Sequence, residues 1–333
     1  MKHTFFIVLL LLVGNLQAQD PIYSQFYAAP IQLNPALTGL VAAPVITVNY
    51  RNQWPNIPNA YSTYAASFGQ YVPKIHSGFG VLVEADVAGA GIYSTYRIGL
   101  AYAYDIRFAK DFYIRAGLNA DFVNSRLAWN KLVFLDQLNL QTGGVDLNGN
   151  PNPTNEPQGG ASLNYFDMGL GGLLKTPYFY AGVSFKHFTT PKESFFKNQD
   201  DGSEELPLRY TIHVGSEIRL TKRNKIGTKA FLSPSALFVK QQEFQQLMLG
   251  AYVRYGIILG GIWFRHTFTN EDAVILMVGV QKGIFKIGYS YDLNVSPLGM
   301  KSGGAHEVSL TLNFESRNQK RHNRYNDCLE IFR

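Results

Sequence analysis

The sequence predicts an all-β fold, a transmembrane outer-membrane β-barrel of about 14 antiparallel strands, and three observations carry that prediction. The first is alternation. Between Tyr96 and Phe108, the residues Ile98, Leu100, Tyr102, Tyr104, Ile106 and Phe108 alternate with Arg97, Gly99, Ala101, Ala103, Asp105 and Arg107. One face of this segment is greasy and aromatic, the other small or charged, which is the period-two signature of a strand. Asp111 to Phe122 repeats the pattern after the short connection Ala109-Lys110. The second observation is length. A tilted strand needs about 9–11 residues to cross a bilayer, whereas strands in globular proteins average roughly half that, and a closed barrel pairs every backbone polar group with no edge left in lipid. The third is that connections alternate between short and long, as short periplasmic turns and longer outer loops require.

Residues 1–18 read as a secretory signal peptide, with a basic start at Met1-Lys-His-Thr, an apolar run from Phe5 to Val13 and a small-residue cleavage site at Leu16-Gln-Ala18. Residues 19–44 form a lead-in whose prolines and weak periodicity argue against a long strand or helix. It is expected on the periplasmic side or partly inside the barrel. The barrel itself spans 45–315. Its strands are expected near 45–52, 60–70, 76–87, 92–106, 111–126, 162–175, 178–188, 207–220, 228–240, 243–255, 257–266, 273–282, 284–293 and 305–315. With the first strand running outward, the connections at Tyr71–Ile75, Arg107–Lys110, Thr176-Pro177, Thr221–Gly227, Tyr255-Gly256 and Lys282-Gly283 are periplasmic turns. Both long polar insertions, Leu127–Ala161 and Phe188–Leu206, then fall outside. Residues 316–333 are a basic periplasmic tail, beyond the aromatic Phe314 that closes the last strand.

The chain is charge-poor, at 16% charged residues against 46% hydrophobic and 14% aromatic, where an ordinary soluble domain has about a quarter charged. Its net charge of +6 is not gathered into the basic stripe of a nucleic-acid binder. The one cysteine, Cys328, allows neither an internal disulfide nor a cysteine metal site. The seven histidines include no pair at metal-ligand spacing. Gly144–Asn150 has the acidic and amide look of a calcium loop, but Glu156 falls in the wrong place for the distal ligand, which favours a simple turn. His306 and Glu307 beside Asp292 make the best acid–base group, yet neighbours on a strand face opposite ways. No catalytic residue, metal or cofactor is assigned. Trp54 and Trp129, just outside strand ends, fit an interfacial aromatic belt.

Alternation assigns Arg97, Asp105, Arg115, Asp121, Arg209, Glu217, Arg219 and Lys286 to the lumen. Both signs occur in comparable number, so the expectation is that they pair with one another and fill the interior. Fourteen strands lie between the roughly 8 that side chains can fill and the 16–18 of open porins. Partial occlusion is therefore expected, with the lead-in as its source; a diffusion channel is the alternative.

Both ends of the mature chain carry specific motifs. The first is Asp20-Pro-Ile-Tyr-Ser-Gln-Phe26 with Asn34-Pro-Ala36, Thr38-Gly39 and Tyr50-Arg-Asn-Gln-Trp54; the last is Gly288-Tyr-Ser-Tyr-Asp292 with Ser302-Gly-Gly-Ala-His-Glu307. Between them stand Tyr102-Ala-Tyr104, Gly182-Val-Ser184 with His187, and Pro234-Ser235. In these blocks the chain resembles the PorP/SprF family of type IX secretion system membrane proteins. The resemblance implies an outer-membrane barrel, without enzymatic activity, that binds or anchors a secreted cargo protein through its C-terminal signal domain and supports its export or display, gliding adhesins included. It also implies as partners a periplasmic PorK/PorN-type ring and a PorE-type peptidoglycan-binding protein. The matched positions Asp20, Tyr23, Gln25, Phe26, Asn34, Pro35, Tyr50, Arg51, Gln53, Trp54, Asp292, His306 and Glu307 become candidates for an interaction or for closing the barrel. The tail departs from the family at Cys328-Leu329, where relatives often carry Cys-Pro.

Overall fold

Alternating apolar and polar residues form strands here because one face meets lipid and the other the lumen, and the computed structural model closes them into a single antiparallel barrel. It describes residues 20–58, 60–109, 112–138, 143–144, 150–156, 159–196, 205–221, 230–268, 272–295, 299–315 and 328–332. The strands are β1 (Val45–Gln53), β2 (Tyr61–Val72), β3 (Ser77–Ala88), β4 (Tyr93–Ala109), β5 (Phe112–Leu127), β6 (Ser162–Lys175), β7 (Phe179–Lys186) and β8 (Arg209–Ser216). They continue with β9 (Ile218–Arg219), β10 (Ala230–Gln241), β11 (Phe244–Tyr255), β12 (Ile258–Thr267), β13 (Ala273–Lys282), β14 (Phe285–Asn294) and β15 (Ala305–Asn313). Apart from β8 with β9, each pairs with its sequence neighbours, and β1 joins β15 in a register from Val45↔Asn313 to Gln53↔Ala305. The expected fourteen-strand barrel is borne out.

Fifteen segments make fourteen staves because β8 and β9 are halves of one. Ser235 pairs with Gly215 and Leu232 with Ile218, so the register runs unbroken through the gap. Pro234 stands in β10 opposite that gap. Proline has no N–H to give to a ladder, and it interrupts the stave without shifting it.

The lipid face follows the alternation: Ile98 and Leu100 are 56% and 64% exposed, while Arg97 and Ala103 between the same neighbours are 4% and 0%. The lumen differs from the expected field of paired charges. On β10 to β13 the inward residues Leu237, Val239, Met248, Tyr252, Leu259, Trp263, Ile275 and Met277 are apolar and buried. These staves are apolar on both faces. They pack against Phe26, Tyr27, Leu33 and Leu37 of the lead-in, so this membrane barrel has a hydrophobic core.

The lead-in runs through the lumen in three short helical turns, η1 (Phe26–Ala28), α1 (Pro30–Leu33) and η2 (Pro35–Leu37). Prolines at the starts of α1 and η2 fit a first helical turn, where the missing N–H costs nothing. The tail also departs from a free extension. Its described residues Cys328, Leu329, Ile331 and Phe332 are buried in the same core. Trp129, expected in a belt, folds into the outer loops instead: its ring meets Phe134 and Phe196, and its Nε1 donates to the Gly160 carbonyl at 3.0 Å. Positions 145–149 of the acidic turn lie outside the described residues.

Candidate functional site in the lumen

Register places the chemistry. Arg51 on β1 and Glu307 on β15 sit directly opposite each other at the closing seam, both turned inward, at 4% and 0% exposure. The Glu307 carboxylate accepts the backbone N–H of Ser24 at 2.8 Å and of Gln25 at 3.0 Å, with Arg51 at 3.2 Å. Asp292 accepts the Ser24 hydroxyl at 2.7 Å, Arg51 at 3.0 Å and Arg265 at 2.8 Å. Two carboxylates thus face two guanidinium groups, and this balance is what makes so deep a set of charges tolerable. Gln25 extends the grip, donating to the Glu307 carbonyl and Ser290 and accepting from Ser309 at 2.6 Å.

A second cluster lies toward the ends of the strands that carry the long loops. The Asp20 carboxylate meets His187 at 2.8 Å, Arg209 at 3.3 Å and Arg97 at 3.6 Å. His187 turns its other ring nitrogen to Asp167, also at 2.8 Å, and Tyr23 donates to Glu84, which Arg97 approaches at 3.8 Å.

The middle of the lead-in is held by close approach of backbones. The Asn34 amide donates to the carbonyls of Gly172 and Val183, both at 3.1 Å, and lies 3.0 Å from His213 Nε2. Its Oδ1 accepts the Ala36 N–H at 2.8 Å, capping η2. A Cβ on Gly171 or Gly117 would fall about 2 Å from Asn34 Oδ1 or from the Ala36 nitrogen, so only glycine lets Asn34-Pro35-Ala36 lie flat on the wall. Below it, Arg115 donates to the Thr38 carbonyl at 2.7 Å and pairs with Asp105 at 2.7 Å.

The motif residues therefore split. Asp20, Tyr23, Gln25, Phe26, Asn34, Pro35, Arg51, Asp292 and Glu307 converge in the lumen, with Gln53 at the margin, 3.5 Å from Arg51. Tyr50, Trp54 and His306 do not join them. Tyr50 packs against Tyr64 at 5.0 Å, Trp54 lies edge-on to Tyr61 at 5.7 Å, and His306 bonds the Tyr289 hydroxyl. Of the other lumenal charges, Asp121 accepts from Asn119, Glu217 lies 3.9 Å from Arg254, and Lys286 donates to the Ile331 carbonyl at 2.6 Å. Arg219 is exposed at its strand end and bonds the Thr221 carbonyl. Ser24 lies in the first motif but is not among its candidate positions, and nothing local marks Arg265. The glycines on inward positions were a usable signal.

Two tests follow from this geometry. Arg51→Ala leaves two buried carboxylates short of a cation and is expected to cost about 3–5 kcal/mol, seen as a lower guanidinium midpoint. Pairing it with Glu307→Gln recovers part of the loss if the two act as one unit. Gly117→Val drives a side chain into the Ala36 backbone and should release the lead-in to protease while the barrel keeps its heat-modifiable migration. Gly260→Ala, whose nearest neighbour would be 4.0 Å away, should stay protected.

Among solved structures, an Acinetobacter baumannii outer membrane protein, Omp33, has 9% identity and a TM-score of 0.45, with 83% of this chain and 100% of that one covered. CymD, a monoaromatic hydrocarbon channel, has 13% identity and a TM-score of 0.46, covering 91% and 96%. A Pseudomonas aeruginosa FadL homologue has 10% identity and a TM-score of 0.40, covering 85% and 93%. None of the curated proteins matches. The family model for type IX secretion system membrane protein PorP/SprF matches residues 15–312. An outer-membrane location and a role among secretion-system components accord with that match and with the barrel. The chain belongs to the PorP/SprF family of type IX secretion system membrane proteins.

Proposed function

We propose that this protein is a docking barrel: it binds the C-terminal signal domain of a secreted cargo protein at its loop face and supports export or surface display of that cargo, with gliding adhesins in the cargo class. The turn face is then open to a PorK/PorN-type ring and a PorE-type peptidoglycan-binding protein. A signal peptide over 1–18 delivers the chain to the envelope.

The observation that carries this reading is the filled lumen. From Asp20 to Pro44 the chain occupies the interior and is hydrogen-bonded or packed along its length. A diffusion channel needs that space. With the interior taken, the surfaces left to do work are the loops and the two mouths.

The outer loops support the reading. Around Trp129 they form an ordered lobe: Gly160 N–H donates to Phe195, Ser125 to Glu193, and the Asn152 amide to Gln137. The Asn155 N–H, with the Thr154 hydroxyl, holds the Asp136 carboxyl below its usual value. This framework leaves Val133, Leu135 and Leu138 in solvent, Leu135 at 84% exposure. Apolar side chains fixed outward on an ordered loop suit a protein partner.

The test is a mild-detergent pull-down from outer membranes using the full chain. Val133→Ser/Leu135→Ser/Leu138→Ser together should lower recovery of the cargo C-terminal domain about tenfold, the effect of losing ~1.4 kcal/mol, with barrel migration unchanged. Undiminished recovery would move the docking surface elsewhere. Steady conductance in planar bilayers, from protein recovered without partners, would establish the channel instead.

A further inference from the structure

The lead-in has a direction. At Val45 the chain starts β1 at the mouth with the short turns, beside Asn313 and Gly69. Traced back from there, Val41 and Ala42 still lie at that mouth, bonded to Tyr71 and Gln70 at the end of β2. Thr38 then meets Arg115, near the start of β5. Asn34 reaches the middle of β7 and β8 through Val183 and His213. Ser24 is held by Asp292 and Glu307, two or three residues from the loop ends of β14 and β15. Asp20 finally meets Arg209, the first residue of β8, and His187, the residue after β7. Both stand where the Phe188–Leu206 loop leaves and rejoins the barrel.

We propose that the amino-terminal end of the mature chain is displayed on the loop side of the membrane, opposite the mouth where β1 begins. Asp20 stands between the two ends of the Phe188–Leu206 loop, so this end of the mature chain adds to the surface that faces an exported protein. Its role there rests on the docking reading; its position rests on the path through the lumen alone.

Three independent contacts fix that path. Glu307 receives the N–H groups of consecutive residues, Asn34 lies against Gly171 on β6 and Gly182 on β7, and the Asp20 carboxylate meets three basic side chains. A lead-in turned back toward the turns after Ser24 would leave Asp167, His187, Arg97 and Arg209 around an empty place in a low-dielectric interior, which is costly. The closing seam also grips Ser24 and Gln25 from both of its strands, through Arg51 on β1 and Glu307 on β15.

The experiment is impermeant-maleimide labelling of intact cells, with a Gly-Ser-Cys-Gly-Ser insertion between Gln19 and Asp20 in a Cys328→Ser background, which keeps cysteine away from the cleavage site. Cysteines within 145–149 and within 222–229 mark the two sides. The inserted cysteine is expected to label on intact cells to the same extent as the 145–149 marker, with the 222–229 marker silent until the outer membrane is permeabilised. Labelling that follows the 222–229 marker overturns the proposal. If the cysteine insertion does not assemble, a protease site inserted at the same place gives the same two answers by cleavage on intact or permeabilised cells. Neither readout depends on cargo, so a failure of display and a failure of docking remain distinguishable.

Discussion

Glu307 is the group on which the rest of the structure depends. It stands at the one seam a barrel must close without a covalent connection, opposite Arg51, and its carboxylate takes two consecutive N–H groups of the segment inside. Backbone pairing alone does not choose a register, since neighbouring registers form equally good ladders. Side chains choose it, because a slip by one residue turns every lumen position toward lipid. For Arg51, two residues from the loop end of β1, such a slip would turn a guanidinium toward lipid near the interface, at about 0–1 kcal/mol, and would leave Asp292 and Glu307 without it. The lead-in has its own demand, because backbone donors taken from water must find acceptors. One carboxylate answers both requirements, so the seam register and the position of the lead-in fix each other.

The filled interior also explains strand patterns that look wrong for a barrel. A wall of fourteen staves encloses more width than its own side chains can fill. On β10 to β13 the deficit is met by apolar groups from elsewhere in the chain, with Tyr27 stacked on Tyr252 and Trp263 at about 6 Å. Leu329, Ile331 and Phe332 of the tail close the same core from the turn side, Phe332 lying edge-on to Tyr180 at 5.3 Å. On β5 and β6 the opposite solution holds: glycine removes the wall's side chains and the lead-in backbone takes their place.

These two solutions mark what could be read from the sequence. Strand positions were legible to within a few residues because lipid imposes a strict apolar face, as from Ile98 to Phe108. The opposite orientation of His306 and Glu307 followed from the same period. The partnership of Asn34 with residues 138 and 149 positions away did not, since nothing near Asn34 records it. Three signals were nevertheless present. Ala273 to Val280 is apolar almost without interruption, which means apolar surroundings on both faces of that strand, lipid outside and a packed core inside. Gly78, Gly80, Gly117 and Gly171 fall on inward positions, where a barrel filled by its own side chains would have no use for them. The apolar Leu329, Ile331 and Phe332 after a basic stretch were a third, and they belong to the core.

The two mouths are sealed by different chemistry, and that asymmetry bears on how each could respond. Toward the loops the seal is ionic, with Asp20 among His187, Arg209 and Arg97 and its side chain 13% exposed. Toward the turns it is apolar, held by the tail end, with Lys286 donating to the Ile331 carbonyl and Cys328 to the Thr176 carbonyl. Buried ion pairs are screened little by salt, so ionic strength alone does little to the loop-side contacts. A barrel closed this way presents each compartment with a different kind of contact, although the same lead-in runs between them.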